Sequence, residues 1–198
     1  VNRFYPFKQK NRIGKEKWYE KFSLGYNTSL QNKINFKASE FGEPGFIDKF
    51  QNGMNHNFQI GLPNFTAFKY INITPSFNYT ERWYSYKIDR AWDEMRMREV
   101  QDTTYGFNRV YNYNLAISAN TKLYGFYKPL IGKKVQMIRH VLTPSVSYTL
   151  TPDFGDSKYG YYKSYTYTDA QGEVRTVDYS PYAGSLYGVP GKGKSGSI

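Results

Sequence analysis

Residues 107–120, FNRVYNYNLAISAN, alternate with a period of two. Phe107, Tyr111, Tyr113, Leu115, Ile117 and Ala119 fall on one parity, and Asn108, Asn112, Asn114, Ser118 and Asn120 on the other. Successive side chains of an extended chain point to opposite faces, so this stretch reads as a strand with one apolar face and one small, neutral polar face. The pattern recurs four times. Phe22, Leu24, Tyr26 and Leu30 oppose Ser23, Gly25, Asn27 and Ser29; Met54, His56, Phe58, Ile60 and Leu62 oppose Asn55, Asn57, Gln59 and Gly61. Ile71, Ile73, Phe77 and Tyr79 oppose Asn72, Thr74, Ser76, Asn78 and Thr80; Leu142, Pro144, Val146, Tyr148 and Leu150 oppose Thr143, Ser145, Ser147 and Thr149. Strands are expected over about 17–32, 53–63, 69–84, 105–123 and 136–152, with another starting near 195, all within one domain spanning 1–198. A basic lead-in over 1–16 and a long loop over 153–193 complete that expectation.

Asn, Ser, Thr and Gly suit a wet wall better than a fully exposed sheet surface, and the strands are long enough to cross a bilayer, which takes about 9–11 tilted residues. The expected fold class is therefore all-β: a wall of about five to six long antiparallel strands belonging to a larger transmembrane β-barrel. Its lipid-facing set would be Phe22, Leu24, Phe58, Ile60, Ile73, Phe77, Leu115, Ile117, Val146 and Tyr148. Links alternate between short (63–68, 124–136) and long (33–52, 86–103, 153–193), as periplasmic turns and extracellular loops do. That placement gathers Trp18, Tyr19, Phe65, Phe68, Tyr70, Tyr124, Phe126 and Tyr127 on one rim and Trp83, Tyr84, Tyr105, Phe154 and Tyr159 on the other, as two aromatic belts at headgroup depth. From pattern alone a soluble sandwich stays open. The mean hydropathy of −0.71 does not decide between them, because an alternating barrel wall averages low, and 19% aromatic residues argue against disorder.

Catalytic chemistry finds little support. Cysteine is absent, which removes thiol catalysis, disulfides and thiolate metal sites. His56 and His140 are the only histidines, share no ligand spacing and lie on the apolar parity, so packed or rim positions are expected, with no metal and no cofactor. Asp89, Asp93, Glu94, Glu99 and Asp102 interleave with Arg90, Arg96 and Arg98, which reads as a salt-bridged surface loop. GVPGKGKS at 188–195 fits G-x-x-x-x-G-K-[ST], but a phosphate loop needs an apolar strand before it and a helix after it, and RTVDYSPYAGSLYG is no such strand. A basic, flexible loop is the expected reading. No nucleophile elbow is present. The chain opens at Val1 and is expected to be a cleaved product or a piece of a longer polypeptide.

A formal charge of +11 points to an anionic partner. Residues 3–21 concentrate it: Arg3, Lys8, Lys10, Arg12, Lys15, Lys17 and Lys21 stand against Glu16 and Glu20 alone. Arg3, Lys8, Lys10, Arg12, Lys15 and Lys17 are candidate contacts to anionic glycolipid. Nucleic acid is not expected, because the aromatics sit at strand ends instead of interleaving with Lys and Arg.

RFYPFKQKNRIGKEKWYEK, YINITPSFNYTERWY, TKLYGFYKP, IRHVLTPSVSYTLTPDFGD with YGYY after it, and the closing GKSGSI resemble the barrel of the LptD family of lipopolysaccharide-assembly proteins in its Bacteroidota form, over essentially the whole chain. The resemblance implies a non-enzymatic role in an outer-membrane translocon that inserts lipopolysaccharide into the outer leaflet of a Gram-negative bacterium. It also implies an LptE-like plug lipoprotein and an LptA-like periplasmic bridge protein as partners, beside lipopolysaccharide and outer-membrane lipids. Two other readings remain: a porin-like channel, and a wall component of another outer-membrane machine such as a secretion apparatus.

Overall fold

A computed structural model describes residues 3–46, 49–128 and 137–197. Its chain is all-β, and no α-helix occurs among the described residues. The strands are β1 (Arg3–Phe4), β2 (Ser23–Lys33), β3 (Gln51–Gly61), β4 (Phe65–Ala67), β5 (Ile71–Asp93), β6 (Arg98–Asn120), β7 (Leu123–Tyr127), β8 (Ile138–Leu142), β9 (Ser145–Thr151), β10 (Lys163–Thr168), β11 (Val174–Tyr179) and β12 (Ser195–Ser197). An antiparallel sheet runs β1-β2-β3-β5-β6-β9-β12, with β4 paired to β5; β7 with β8 and β10 with β11 form two separate two-stranded sheets. Neighbours in sequence are neighbours in space, as hairpin connections dictate.

Several boundaries differ from the sequence expectation. Trp18–Lys21 is a turn of 3-10 helix, so the first long strand starts at Ser23 and not near 17. The carboxylate of Glu20 accepts the Lys17 N–H at 3.0 Å and closes that turn. The link expected over 86–103 is strand: β5 and β6 continue as a hairpin arm to Asp93 and Arg98, and the Asp93 side chain accepts the N–H groups of Met95 (3.0 Å) and Arg96 (3.1 Å) at its tip. The backbone ladder runs on along this arm, and one ion pair crosses it, Arg90 to Glu99 at 3.4 Å. The strand expected over 136–152 divides at Thr143 and Pro144, where proline has no N–H for the ladder, although β7–β8 keeps the register of β6–β9. The expected loop 153–193 contains the β10–β11 hairpin. Residues 129–136 of the expected short link, 47–48 of the first long link, 1–2 of the lead-in and 198 of the last strand lie outside the described residues.

The arm leaves the sheet at a bulge. Register shifts between Tyr84 and Tyr86, one step beyond the row where the pairing of β3 with β5 stops, at Gly53 opposite Tyr84. Across from it Gly106 takes φ +148°, a conformation open to glycine but not to a side chain. Beyond the bulge the β10–β11 hairpin packs on the arm through Trp92 and Tyr167 (ring centroids 4.5 Å apart, stacked) and a Tyr165 hydroxyl donating to Glu99 at 2.7 Å.

Candidate functional site

Strand register decides which side chains share a face. Leu24 pairs with Ile60, Ile60 with Phe77, Phe77 with Leu115 and Leu115 with Leu150, giving one apolar row across five strands. Tyr26, Phe58, Tyr79 and Tyr113 make the next row; Ile73 joins Val146 through Ala119, and Ile117 faces Tyr148. Nine of the ten expected lipid-facing residues therefore share one face. Leu115, Ile117, Val146 and Tyr148 remain 39–54% exposed there, an apolar surface open to a partner phase. Phe22 precedes β2, and its ring packs on Phe7 (6.1 Å) and Trp18 (6.0 Å).

The opposite face is mostly polar, with Val110 and Ala116 as apolar exceptions. Gly25, Gln59, Asn78 and Asn114 form one row, and Asn27, Asn57, Thr80 and Asn112 the next. Side-chain hydrogen bonds cross it: Asn78 to Asn114 at 2.9 Å, Thr80 to Asn57 at 3.0 Å, and Ser118 with Ser147 at 3.1 Å. Small amides and hydroxyls satisfy one another without a charge, which keeps the wall polar and still open to water.

Part of this polar face is covered by the chain itself. Residues 153–193 fold back over it, and Phe154 and Tyr161 of that segment form a buried cluster with Tyr84 and Val110 of the sheet. Tyr84 donates to the Gly188 carbonyl at 2.6 Å and stacks on Tyr182. Tyr187 reaches β2, donating to the Ser29 carbonyl at 2.9 Å, and its ring lies so close to Gly53 that a Cβ there would sit 3.3 Å from it. Tyr161 replaces a missing strand. Above Leu115 the edge of β6 has no partner in β9, and the Tyr161 hydroxyl accepts the Tyr111 N–H at 2.8 Å and donates to the Tyr111 carbonyl at 3.1 Å. Burial pushes this hydroxyl up to about 12, so it stays a donor at any working pH.

The aromatic sets separate accordingly. Trp18 (68% exposed), Phe68, Tyr70, Tyr124 and Phe126 stand exposed at the end of the sheet where β2 begins and β6 ends, with Tyr19 packed edge-on to Trp18. Trp83 lies on the apolar face over His56, with ring centroids 4.1 Å apart, and donates to Glu81 at 2.6 Å. Tyr84 corrects the expectation: it belongs to the polar face, is 3% exposed and joins no belt, because the folded-back loop covers it. Phe154, buried in the same cluster, joins none either. His56 is buried against Tyr26, whose hydroxyl lies 2.8 Å from Nδ1, whereas His140 is exposed on β8.

The basic lead-in also divides. Arg12 is spent internally: it pairs with the buried carboxylate of Glu20 and, at 3.9 Å, with Glu16. Arg3 and Lys8 line a cleft of about 430 Å³ with Tyr5, Glu16 and Lys21. Lys10, Lys15 and Lys17 point into solvent. At the far end Lys163 donates to Asp89 at 2.6 Å; this bond holds the Asp89 carboxyl below its ordinary range and Lys163 above its own.

The G-x-x-x-x-G-K-S match has none of the phosphate-loop geometry. The segment runs into strand β12, and the Gly193 N–H is taken at 2.7 Å by the carboxylate of Asp153, which also accepts the Gly155 N–H at 2.7 Å. The Gly193 N–H, which a phosphate loop would aim at its ligand, is thus spent on a carboxylate of the chain itself. Parity alone did not single out Arg82, which lies on the polar face below this segment. Its signal was there to read: one charge in a parity of Asn, Ser and Thr.

A two-faced antiparallel sheet, apolar outside and polar under its own loop, suits a boundary between lipid and water and offers no arrangement of nucleophile, base and oxyanion donors. No curated protein and no solved structure matches the chain. A family model described as LptD protein matches residues 1–198. The match extends over the full sheet, the arm and the folded-back loop alike, and the chain thus belongs to the LptD protein family, a family of lipopolysaccharide transport at the Gram-negative outer membrane and not of enzymes.

Proposed function

We propose that this sheet is a section of the membrane-spanning barrel wall of a Bacteroidota-type translocon that inserts lipopolysaccharide into the outer leaflet. The observation that carries the reading is the register: apolar rows through Leu24 and Tyr26 on one face alternate with neutral polar rows through Gly25 and Asn27 on the other. In this reading the apolar face meets lipid and the polar face lines the interior. The β4–β5 turn and the β7–β8 hairpin are periplasmic, and the β5–β6 arm with β10–β11 is extracellular. The wall does no covalent chemistry; it separates a hydrated saccharide from acyl chains while both move. Partners of the LptE-like plug and LptA-like bridge type would supply the occluded interior and the incoming glycolipid.

Lys8, Lys10 and Lys15 assist through attraction to anionic glycolipid, on the order of 1 kcal/mol for each exposed cation near an anionic surface. That contribution fades over a Debye length of about 8 Å at physiological salt. Neutralising the three together should weaken glycolipid capture at low salt and little at high salt.

Depletion of the full-length protein in its native cell, read as surface lipopolysaccharide, tests the role. Normal surface lipopolysaccharide after depletion removes the transport reading. The neutral polar wall also suits a porin-like channel, and steady ion conductance of the purified complex in planar bilayers would favour that alternative.

A further inference from the structure

Arg82 is out of place on its face. On the polar rows shared by β3, β5, β6 and β9 every other described side chain is uncharged, and no carboxylate among the described residues lies within ion-pair distance of it. The side chain is half-buried, and Asn112 fixes it by accepting from one terminal nitrogen at 2.7 Å. Arg82 lines a cleft of about 340 Å³ together with Thr151, Lys192, Gly193 and Ser195. The Gly-rich segment that resembles a phosphate loop thus shares this cleft with Arg82.

Charges nearby do not neutralise it. Asp153 is held by two backbone N–H groups and Asp178 by Lys192 at 2.8 Å, so neither of these carboxylates pairs with Arg82. Taking an unpaired guanidinium out of bulk water is costly, and an incoming anion recovers that cost. A planar fork with one nitrogen already anchored presents its other donors side by side, the geometry that grips a phosphate through two oxygens. The hydroxyls of Thr151 and Ser195 offer further partners to a phosphate oxygen or a sugar hydroxyl. The volume lies at the lower end of small-molecule sites, about 300–1,000 Å³, more than a bare oxyanion needs. A nucleobase finds no platform here: the Phe154 ring is buried against Tyr113 and Tyr159.

We infer that Arg82 forms, with Thr151 and Ser195, a seat on the interior face of the wall for a phosphate group carried by a saccharide. The inference rests on the reading of the polar face as a water-filled interior. It assigns this face a site for the charged head of the cargo, separate from the lead-in cations at the other end of the sheet.

The test is equilibrium binding to full-length protein in detergent. The probe is a glucosamine disaccharide bearing two phosphates, with the dephosphorylated disaccharide and inorganic phosphate as comparison arms. Arg82→Gln should weaken the bisphosphate at least tenfold. Arg109→Gln, a cation on the apolar face, should change it less than twofold. Inorganic phosphate should compete for wild type and not for Arg82→Gln, which identifies the phosphate and not the sugar as the recognised group. Arg82→Lys keeps the charge without the fork and should fall between; it serves as the readout if Arg82→Gln loses the heat-dependent gel mobility of a folded barrel. Equal bisphosphate affinity in wild type and either Arg82 variant, or equally tight binding of the dephosphorylated disaccharide, overturns the seat. Normal surface lipopolysaccharide after depletion would remove the transport reading while leaving a measured Arg82-dependent affinity standing, so the two failures are distinguishable.

Discussion

Replacing Tyr161 with Phe removes one oxygen atom and leaves the ring in place. That oxygen does what a neighbouring strand would do: it accepts the Tyr111 N–H at 2.8 Å and donates to the Tyr111 carbonyl at 3.1 Å. Tyr161 is 4% exposed, so water does not take over without local rearrangement. A buried polar group deprived of its partner costs about 1–3 kcal/mol. Two groups are orphaned here on an intermediate-exposure residue, and partial rehydration of the edge sets the net loss near about 2 kcal/mol. At about 1.4 kcal/mol per factor of ten, this makes local opening of the β6 edge roughly thirtyfold more frequent. Hydrogen exchange on the full-length protein, resolved to the peptide containing Tyr111, reads it directly. The Tyr111 amide should exchange roughly thirtyfold faster in Tyr161→Phe. Amides of Leu115 and Ile117, held by true strand pairing, should change little. Exchange at Tyr111 within twofold of wild type would refute the idea that this hydroxyl stands in for a strand.

Four further outcomes are expected. Ile117→Arg, on the apolar row, should cost about 2–4 kcal/mol near a bilayer midplane, and Ser118→Arg on the opposite face much less; equal penalties in reversible unfolding from lipid would sink the face assignment. Arg12→Gln strands the buried Glu20 carboxylate, a loss of about 3–5 kcal/mol for a buried pair, and should speed tryptic cleavage at Lys15 and Lys17; unchanged cleavage argues against the pair. Because the folded state holds Asp89 below its ordinary value, its contribution is present above about pH 4 and fades as pH falls through the depressed value, so β10–β11 should loosen from the arm on acidification. Asp89→Asn should abolish that acid dependence of hydrogen exchange in β10, and a persisting slope points to another group. Labelled ATP with magnesium should show no saturable binding, and Lys194→Ala no change; micromolar affinity lost in that variant would restore the phosphate-loop reading.

The period of two is a local property, so the chain announced its strands, their two faces and the rows that follow from antiparallel hairpins without help from distant contacts. Leu24, Ile60, Phe77 and Leu115 fall on one face because side chains alternate, and neighbouring hairpins keep that parity in step. The blocks that resemble the LptD family are likewise local, and the family match covers the same residues. The arm over 85–106 was not legible as strand, because its charged residues resemble a solvated loop and its backbone ladder, crossed by one ion pair, runs on beyond a bulge at Gly106. Nor was the cover over the polar face: Tyr187 meets Ser29 across 158 residues, and no periodicity encodes a contact of that separation. Tertiary folding therefore decided that Tyr84 is buried and not a belt residue, that Arg12 neutralises Glu20, that Tyr161 closes an edge, and that Arg82 is left alone beside the Gly-rich segment. The burial of Tyr84, the closing of the β6 edge by Tyr161 and the setting of Arg82 depend on where residues 153–193 come to rest, which is set by the sum of weak contacts along that segment and not by any pattern within it.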